Sequence, residues 1–241
     1  MKRNFLFALY QTPRGKLLKT MEAQYLKRCL TVSCKQHQLQ IGGLGWEDVF
    51  VDCSLYRNYL ILDDRGMGHP TALKVNAKAF NLPVQTESMD LVILPHLLEF
   101  DARRFQTMRE INRVLKPGGE LVVLNFNPLS FYVRFQFVLN KKFFDSWRAH
   151  FIPRSRMVDW LKLLNFELLH TAEFGLDSFV IDHSGFSNSR ACFSMAYGFK
   201  AVKRQFSIIP LTPINARQTG LATAGAGLET NMPNTQEIAD D

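Results

Sequence analysis

The sequence predicts an α/β fold built on a mainly parallel sheet, with helices on both faces. Short apolar runs of strand length recur at residues 39–41, 59–62, 72–75, 91–94 and 120–124, separated by stretches with helical periodicity. The runs are apolar almost throughout rather than alternating, the pattern of strands covered on both faces. They also end in turn-forming or acidic residues, as strands of an open α/β sheet do where they lead toward a ligand crevice.

The elements follow in order. Leu17, Leu18, Met21, Tyr25 and Leu26 fall at helical spacing, with Lys19, Lys27 and Arg28 on other faces, so residues 1–35 read as an amphipathic helical lead-in. The run Leu39-Gln40-Ile41 then ends in Gly42-Gly43-Leu44-Gly45, and a helical stretch leads to Tyr59-Leu60-Ile61-Leu62, which ends in Asp63-Asp64. Glycines and a proline between Asp64 and Asn76 leave little room for a helix before the third run, Ala72 to Val75. The fourth run follows Asp90 and ends in Pro95-His96.

A helix is predicted from Ala102 to Leu115, because Phe105, Met108, Ile111 and Leu115 share one face and Asp101 can cap its start. Lys116-Pro117-Gly118-Gly119 stops it, since proline cannot continue a helix and Pro-Gly suits the centre of a type II turn. The fifth strand follows. A further helix from Ser155 to Leu164 is stopped by Asn165, which tolerates positive φ. Two final strands, 166–169 and 192–199, can pair antiparallel at one edge of the sheet, with Lys200, Lys203 and Arg204 as a solvated edge that discourages further pairing.

Length and composition bound the rest. The 241 residues suffice for one large domain, and 46% hydrophobic with 21% charged residues excludes wholesale disorder, collagen-like sequence and a coiled coil. From residue 216 the chain turns to Gly, Ala, Thr, Asn and Pro, which reads as a disordered tail of 216–241, leaving 36–215 as the main domain. That tail holds one arginine against four acids, a net −3, so the body carries +10 of the +7 total. Such a basic body suits an ordinary basic enzyme or an anionic partner. Segment 131–156, with Arg134, Lys141, Lys142, Arg148, Arg154 and Arg156 among aromatics, could hold nucleic acid or a lipid surface, or could simply complete the core and face water.

Cys29, Cys34, Cys53 and Cys192 show no zinc spacing and no disulfide framework, so no metal is expected and a reducing cytoplasm fits. The apolar start is cut short by Gln11 to Arg14, and no run approaches the roughly 20 apolar residues of a membrane span.

Asp90-Leu-Val-Ile-Leu-Pro-His-Leu-Leu-Glu99 followed by Met108-Arg-Glu-Ile-Asn-Arg-Val-Leu-Lys-Pro-Gly-Gly-Glu-Leu-Val-Val123 resembles the fourth strand, helix and fifth strand of class I S-adenosylmethionine-dependent methyltransferases of the type 11 kind. Residues 1 to about 215 resemble a bacterial branch of uncharacterised methyltransferases with Leu-Pro-His and Phe-Asn-Pro, here at Phe126-Asn127-Pro128. The resemblance implies a Rossmann-like, seven-stranded, mainly parallel sheet and S-adenosylmethionine as cofactor. It implies Gly42, Gly43 and Gly45 under the cofactor's amino-acid end, Asp63 or Asp64 on the ribose hydroxyls, Asn76 with Ala77 facing the adenine, and Pro95 with His96 near the methyl group.

Three departures stand out: Gln40 replaces the acid before the glycine loop, the Gly-x-Gly-x-Gly spacing is imperfect, and Asn76 replaces the acid opposite the adenine. Neutral acceptors are about half as strong as charged ones, which weakens the expected cofactor hold. His96 is the candidate general base, a histidine titrating near neutral pH, with packing beside the following helix as the alternative; His69 and His150 read as loop or surface residues. The implied function is methyl transfer to an unidentified acceptor, whether a small molecule, a lipid-like molecule or nucleic acid. The alternative is a catalytically inactive protein of the same fold that binds nucleic acid or protein. A nicotinamide oxidoreductase is disfavoured by the glycine spacing.

Overall fold

One sheet of eight strands organises the chain, in the order β3-β2-β1-β4-β5-β8-β6-β7. The computed structural model describes residues 3–32, 37–51, 59–64, 66, 68, 70, 72–139, 151–176, 178–183 and 194–204. The strands are β1 (Gln38–Ile41), β2 (Tyr59–Leu62), β3 (Leu73–Val75), β4 (Met89–Pro95), β5 (Leu115–Phe126), β6 (Phe166–Phe174), β7 (Phe179–Asp182) and β8 (Ala196–Lys203). The helices are α1 (Asn4–Gln11), α2 (Pro13–Val32), α3 (Arg104–Val114), α4 (Phe131–Leu139) and α5 (Arg154–Leu163).

The first five strands pair in parallel, β1 against both β2 and β4, while β8 and β6 join antiparallel at the β5 side. Strand order therefore reverses between β1 and β4, and a crevice is expected beyond their carboxyl ends. Leu91 to Leu94 and Leu121 to Leu124 are fully buried, as their uniform apolarity predicted.

Each face of the sheet has its own core. On one side α1 and α2 bring Phe5, Leu6, Leu18, Tyr25 and Leu26 against Ile61, Ile93, Val122 and Leu124. On the other, Met108, Ile111 and Val114 of α3 and Met157, Trp160 and Leu161 of α5 cover Val92, Leu94, Leu121 and Val123. Burying one such side chain stabilises the fold by about 1.5–3 kcal/mol.

The helix after β4 begins at Arg104, with Asp101 accepting from the Arg103 N–H at 2.8 Å. Asn165 at φ +60° adopts the left-handed conformation its turn requires, whereas Gly118, at φ +76°, lies within β5 where the register against β4 shifts. The lead-in is two helices broken at Thr12-Pro13, and both belong to the core rather than lying beside it.

Two expectations are corrected. The sheet has eight strands, because Phe179–Asp182 forms a hairpin with β6 that the sequence reading missed. The last strand starts at Ala196 and pairs antiparallel with β6 as expected, but it lies between β5 and β6 and presents no edge. Lys200 is accordingly 4% exposed and sits 3.4 Å from Glu120, and Lys203 donates to the Asn112 and Leu115 carbonyls. Residues 205–241, including the tail, lie outside the described residues, as do Lys141, Lys142, Arg148, His69 and His150.

Candidate cofactor site

The glycine loop is set by a buried acid that the sequence did not single out. Gly42 and Gly45 have φ of +100° and +82°, which side chains rarely adopt, so the chain turns sharply off β1. Glu47, fully buried in a single 3-10 turn (Glu47–Val49), accepts the Leu44 N–H at 2.5 Å and the Gly45 N–H at 3.0 Å. Gln40 donates to Glu47 and to the Gly42 carbonyl, both at 2.9 Å, and accepts from the Tyr59 hydroxyl. An acid seven residues after position 40 thus holds the loop amides, with Gln40 hydrogen-bonded to it.

Asp63, at the end of β2, reaches the same loop. Its Oδ2 accepts the Gly43 N–H at 3.0 Å and forms a 2.6 Å ion pair with Arg3, the residue preceding α1. The same Arg3 nitrogen, Nη2, donates to the Gly43 carbonyl at 2.6 Å. Arg3 is 4% exposed, and burial lowers its pKa while Asp63 opposes the shift. Its Nη1 has no partner.

Around this group lies a cavity of about 280 Å³, near the lower end of the roughly 300–1,000 Å³ of small-molecule sites. Gly42, Asp63, Asp64, Ala77 and Arg3 line it, with Leu97 and Phe100 from the loop after β4. Phe80 and Arg103 complete the wall, the guanidinium 4.4 Å above the ring. Of the residues expected at a cofactor site, Gly42, Asp63, Asp64 and Ala77 line this cavity, while Gly43 and Gly45 do not. Asn76 is exposed and does not line it, and Pro95 is buried in β4 opposite Leu124.

His96 lies beneath, fully buried at φ +48°. Its Nε2 is 2.8 Å from Glu22 of α2, and its Nδ1 is 3.5 Å from Glu99. Glu22 also accepts from the Tyr10 hydroxyl at 2.6 Å, Glu99 accepts the Phe126 N–H, and the Phe126 ring lies 4.1 Å from the imidazole. Burial alone would lower the His96 pKa, but the two carboxylates overcome it and push it up to about 9. Burial in turn raises Glu99. The two carboxylates therefore favour the imidazolium form of His96, which does not line the cavity at Gly42 and Asp63.

Arg3, Tyr10, Glu22, Glu47 and Glu99 are the residues that sequence reasoning missed. Glu47 and Glu99 alone left local traces, one an acid within reach of the glycine loop and the other an acid three residues after His96. No group of His, Cys, Asp and Glu among the described residues could hold a metal, and no described helix is long and apolar enough to cross a membrane.

A family model described as "Methyltransferase domain" matches residues 62–123, from the end of β2 through most of β5. The chain is 31% identical over 162 residues to "Uncharacterized protein YafS" of Escherichia coli K12, covering 67% of this chain and 65% of that protein. It is 33% identical over 88 residues to "Ubiquinone/menaquinone biosynthesis C-methyltransferase UbiE" of Edwardsiella ictaluri, covering 36% of this chain and 32% of that one. The chain thus spans about two thirds of the first relative and a third of the second. Among solved structures, a SAM-dependent methyltransferase of Thermotoga maritima, titled a possible histamine N-methyltransferase, aligns with TM-score 0.63 at 18% identity, over 83% of this chain and 95% of that one. A SAM-dependent methyltransferase of Archaeoglobus fulgidus aligns with TM-score 0.61 at 17% identity, over 84% and 100%. At these identities the likeness establishes the fold.

Proposed function

We propose that this chain, which has the fold of class I S-adenosylmethionine-dependent methyltransferases and a methyltransferase-domain match across its β2 to β5 core, binds S-adenosylmethionine beyond β1 and β2 and transfers its methyl group. The observation that carries the reading is the cavity joining Gly42 at the end of β1 to Asp63 at the end of β2, at the point where strand order reverses. The residues fit the cofactor. A Cβ on Gly42 would lie 2.7 Å from Arg3 Nη1 and 3.3 Å from Leu97, so these side chains pack against the loop only because glycine stands there.

The bound cofactor supplies a methyl group activated on a sulfonium. The chain's own part is to orient it, with Asp63 for the ribose hydroxyls, Ala77 and Phe80 flanking the base, and the loop supporting the amino-acid end. His96 would act as base only after losing a proton that Glu22 and Glu99 hold to about pH 9. We therefore assign it to hold α2, through Glu22, at the end of β4. On the acceptor side, a groove of about 480 Å³ between α1, α2 and the glycine loop is lined by Tyr10, Leu44 and Trp46 with Lys16 and Lys19, which favours an acceptor with an apolar body and negative charge. A cytoplasmic setting accords with the free, buried Cys29.

Calorimetric titration with S-adenosylmethionine and S-adenosylhomocysteine tests the reading, with micromolar Kd expected for both. No binding to folded protein would favour the catalytically inactive reading. An affinity for polyanions that falls steeply with salt would then identify a nucleic-acid partner.

A further inference from the structure

The Arg3 guanidinium is buried against the glycine loop with one arm engaged and one arm free. Nη2 is committed to the Gly43 carbonyl and to Asp63, each at 2.6 Å, while Nη1 has no partner and lies against Gly42. A guanidinium keeps its charge in almost any protein setting, and an unpaired donor of a buried cation is costly. Asp63 and Asp64 both act on its charge, yet neither gives Nη1 a hydrogen bond. Glu47 is engaged by the loop amides, and Glu22 and Glu99 by His96. Asp63 Oδ2 already serves both Nη2 and the Gly43 N–H, so ribose hydroxyls compete with Arg3 for this carboxylate.

We propose that Arg3 receives the α-carboxylate of the cofactor's amino-acid end, and that without cofactor it rests on Asp63, the acid meant for the ribose. This rests on the reading of the cavity as an S-adenosylmethionine site. A ligand carrying both groups exchanges one internal ion pair for two contacts of its own, ribose to Asp63 and carboxylate to Arg3. A ligand with the ribose alone competes with Arg3 for Asp63 and offers the guanidinium nothing in return. The N-terminal arm is thus a selector for nucleosides with an amino-acid tail.

The proposal predicts shifts of opposite sign in one variant. Calorimetry would compare S-adenosylhomocysteine with 5′-methylthioadenosine, which has the same nucleoside and no amino-acid end. In Arg3→Ala, S-adenosylhomocysteine should weaken by roughly 10- to 100-fold, the scale of a hydrogen-bonded charge pair, while 5′-methylthioadenosine should tighten several-fold. Arg3→Lys should recover part of the first effect, keeping the charge without the fork. A measurement on the unmodified protein needs no variant to fold: the carboxamide of S-adenosylhomocysteine should bind about tenfold or more weakly than the acid.

Tightening of both ligands in Arg3→Ala would make Arg3 a plug and overturn the proposal. Equal weakening of both, or equal affinity for acid and carboxamide, would make it a structural support and overturn it as well. Failure of the unmodified protein to bind either nucleoside would instead overturn the methyltransferase reading and this proposal with it. That outcome is separate from binding without carboxylate selectivity, which overturns the proposal alone.

Discussion

At the scale of single residues, Gly42 and Gly45 separate two demands that sequence alone merges. Both need positive φ, but a Cβ at Gly42 meets Arg3 and Leu97, whereas at Gly45 it meets nothing within 4 Å. Gly42→Val should therefore lower S-adenosylhomocysteine affinity by more than about tenfold, since a β-branched residue is strained at this φ and fills the site. Gly45→Ala should cost stability of about 1 kcal/mol and leave affinity within about threefold. Calorimetry with a parallel urea melt distinguishes the two, and equal losses of affinity would show that the loop's conformation, not the space above it, governs binding. The glycine run and Asp63 were legible because spacing after a strand exposes them. Arg3 was not, because nothing near position 3 indicates a partner 60 residues away.

Among the elements, the last strand shows how burial overrides a local charge pattern. Lys200 and Lys203 read as an exposed edge, yet β8 lies inside the sheet and its lysines find Glu120 and helix-end carbonyls. What holds α2 against this strand is the absence of a side chain at Gly198, where a Cβ would come within 3.0 Å of the Tyr25 ring and 3.1 Å of Leu124. Gly198→Val should destabilise the fold by about 1–3 kcal/mol through overpacking, read as a lower urea midpoint. No change would mean that α2 can lift off the sheet without cost. The positions of β1, β2, β4 and α3 were readable from apolar runs and helical spacing. The β6–β7 hairpin was not, because the four residues Phe179–Asp182 are too short to show a period.

In the whole molecule, the Tyr10–Glu22–His96–Glu99 cluster ties the N-terminal helices to the centre of the sheet. His96 is raised to about 9 from an ordinary value near 6.5, so its stabilising contribution is full below about pH 6.5 and is lost as pH rises through 9. The raised Glu99 acts in the same direction, since a carboxyl favoured in its neutral form also loses stability as pH rises. Stability measured by urea unfolding should fall between pH 7 and pH 10, and the fall should be smaller in His96→Asn, which keeps a residue tolerant of positive φ. At pH 7 that variant should lose about 3–5 kcal/mol, because it leaves two buried acids without their cation. An unaltered pH profile would show that the imidazolium does not hold the helices.

The order of strands and helices, the glycine turn after β1, the acid ending β2 and the methyltransferase-like segment from Asp90 to Val123 were determined by the sequence itself, because periodicity and turn chemistry act between near neighbours. The tertiary structure alone decided that Arg3 sits on Asp63, that Glu47 holds Gln40 beside the glycine loop, and that His96 is buried between Glu22 and Glu99. Apart from the short steps from Glu47 to Gln40 and Glu99 to His96, these are contacts between distant parts of the chain. They exist because burial in a low-dielectric core forces each charge to find a partner, and which partner is near depends on how α1 and α2 close over the sheet.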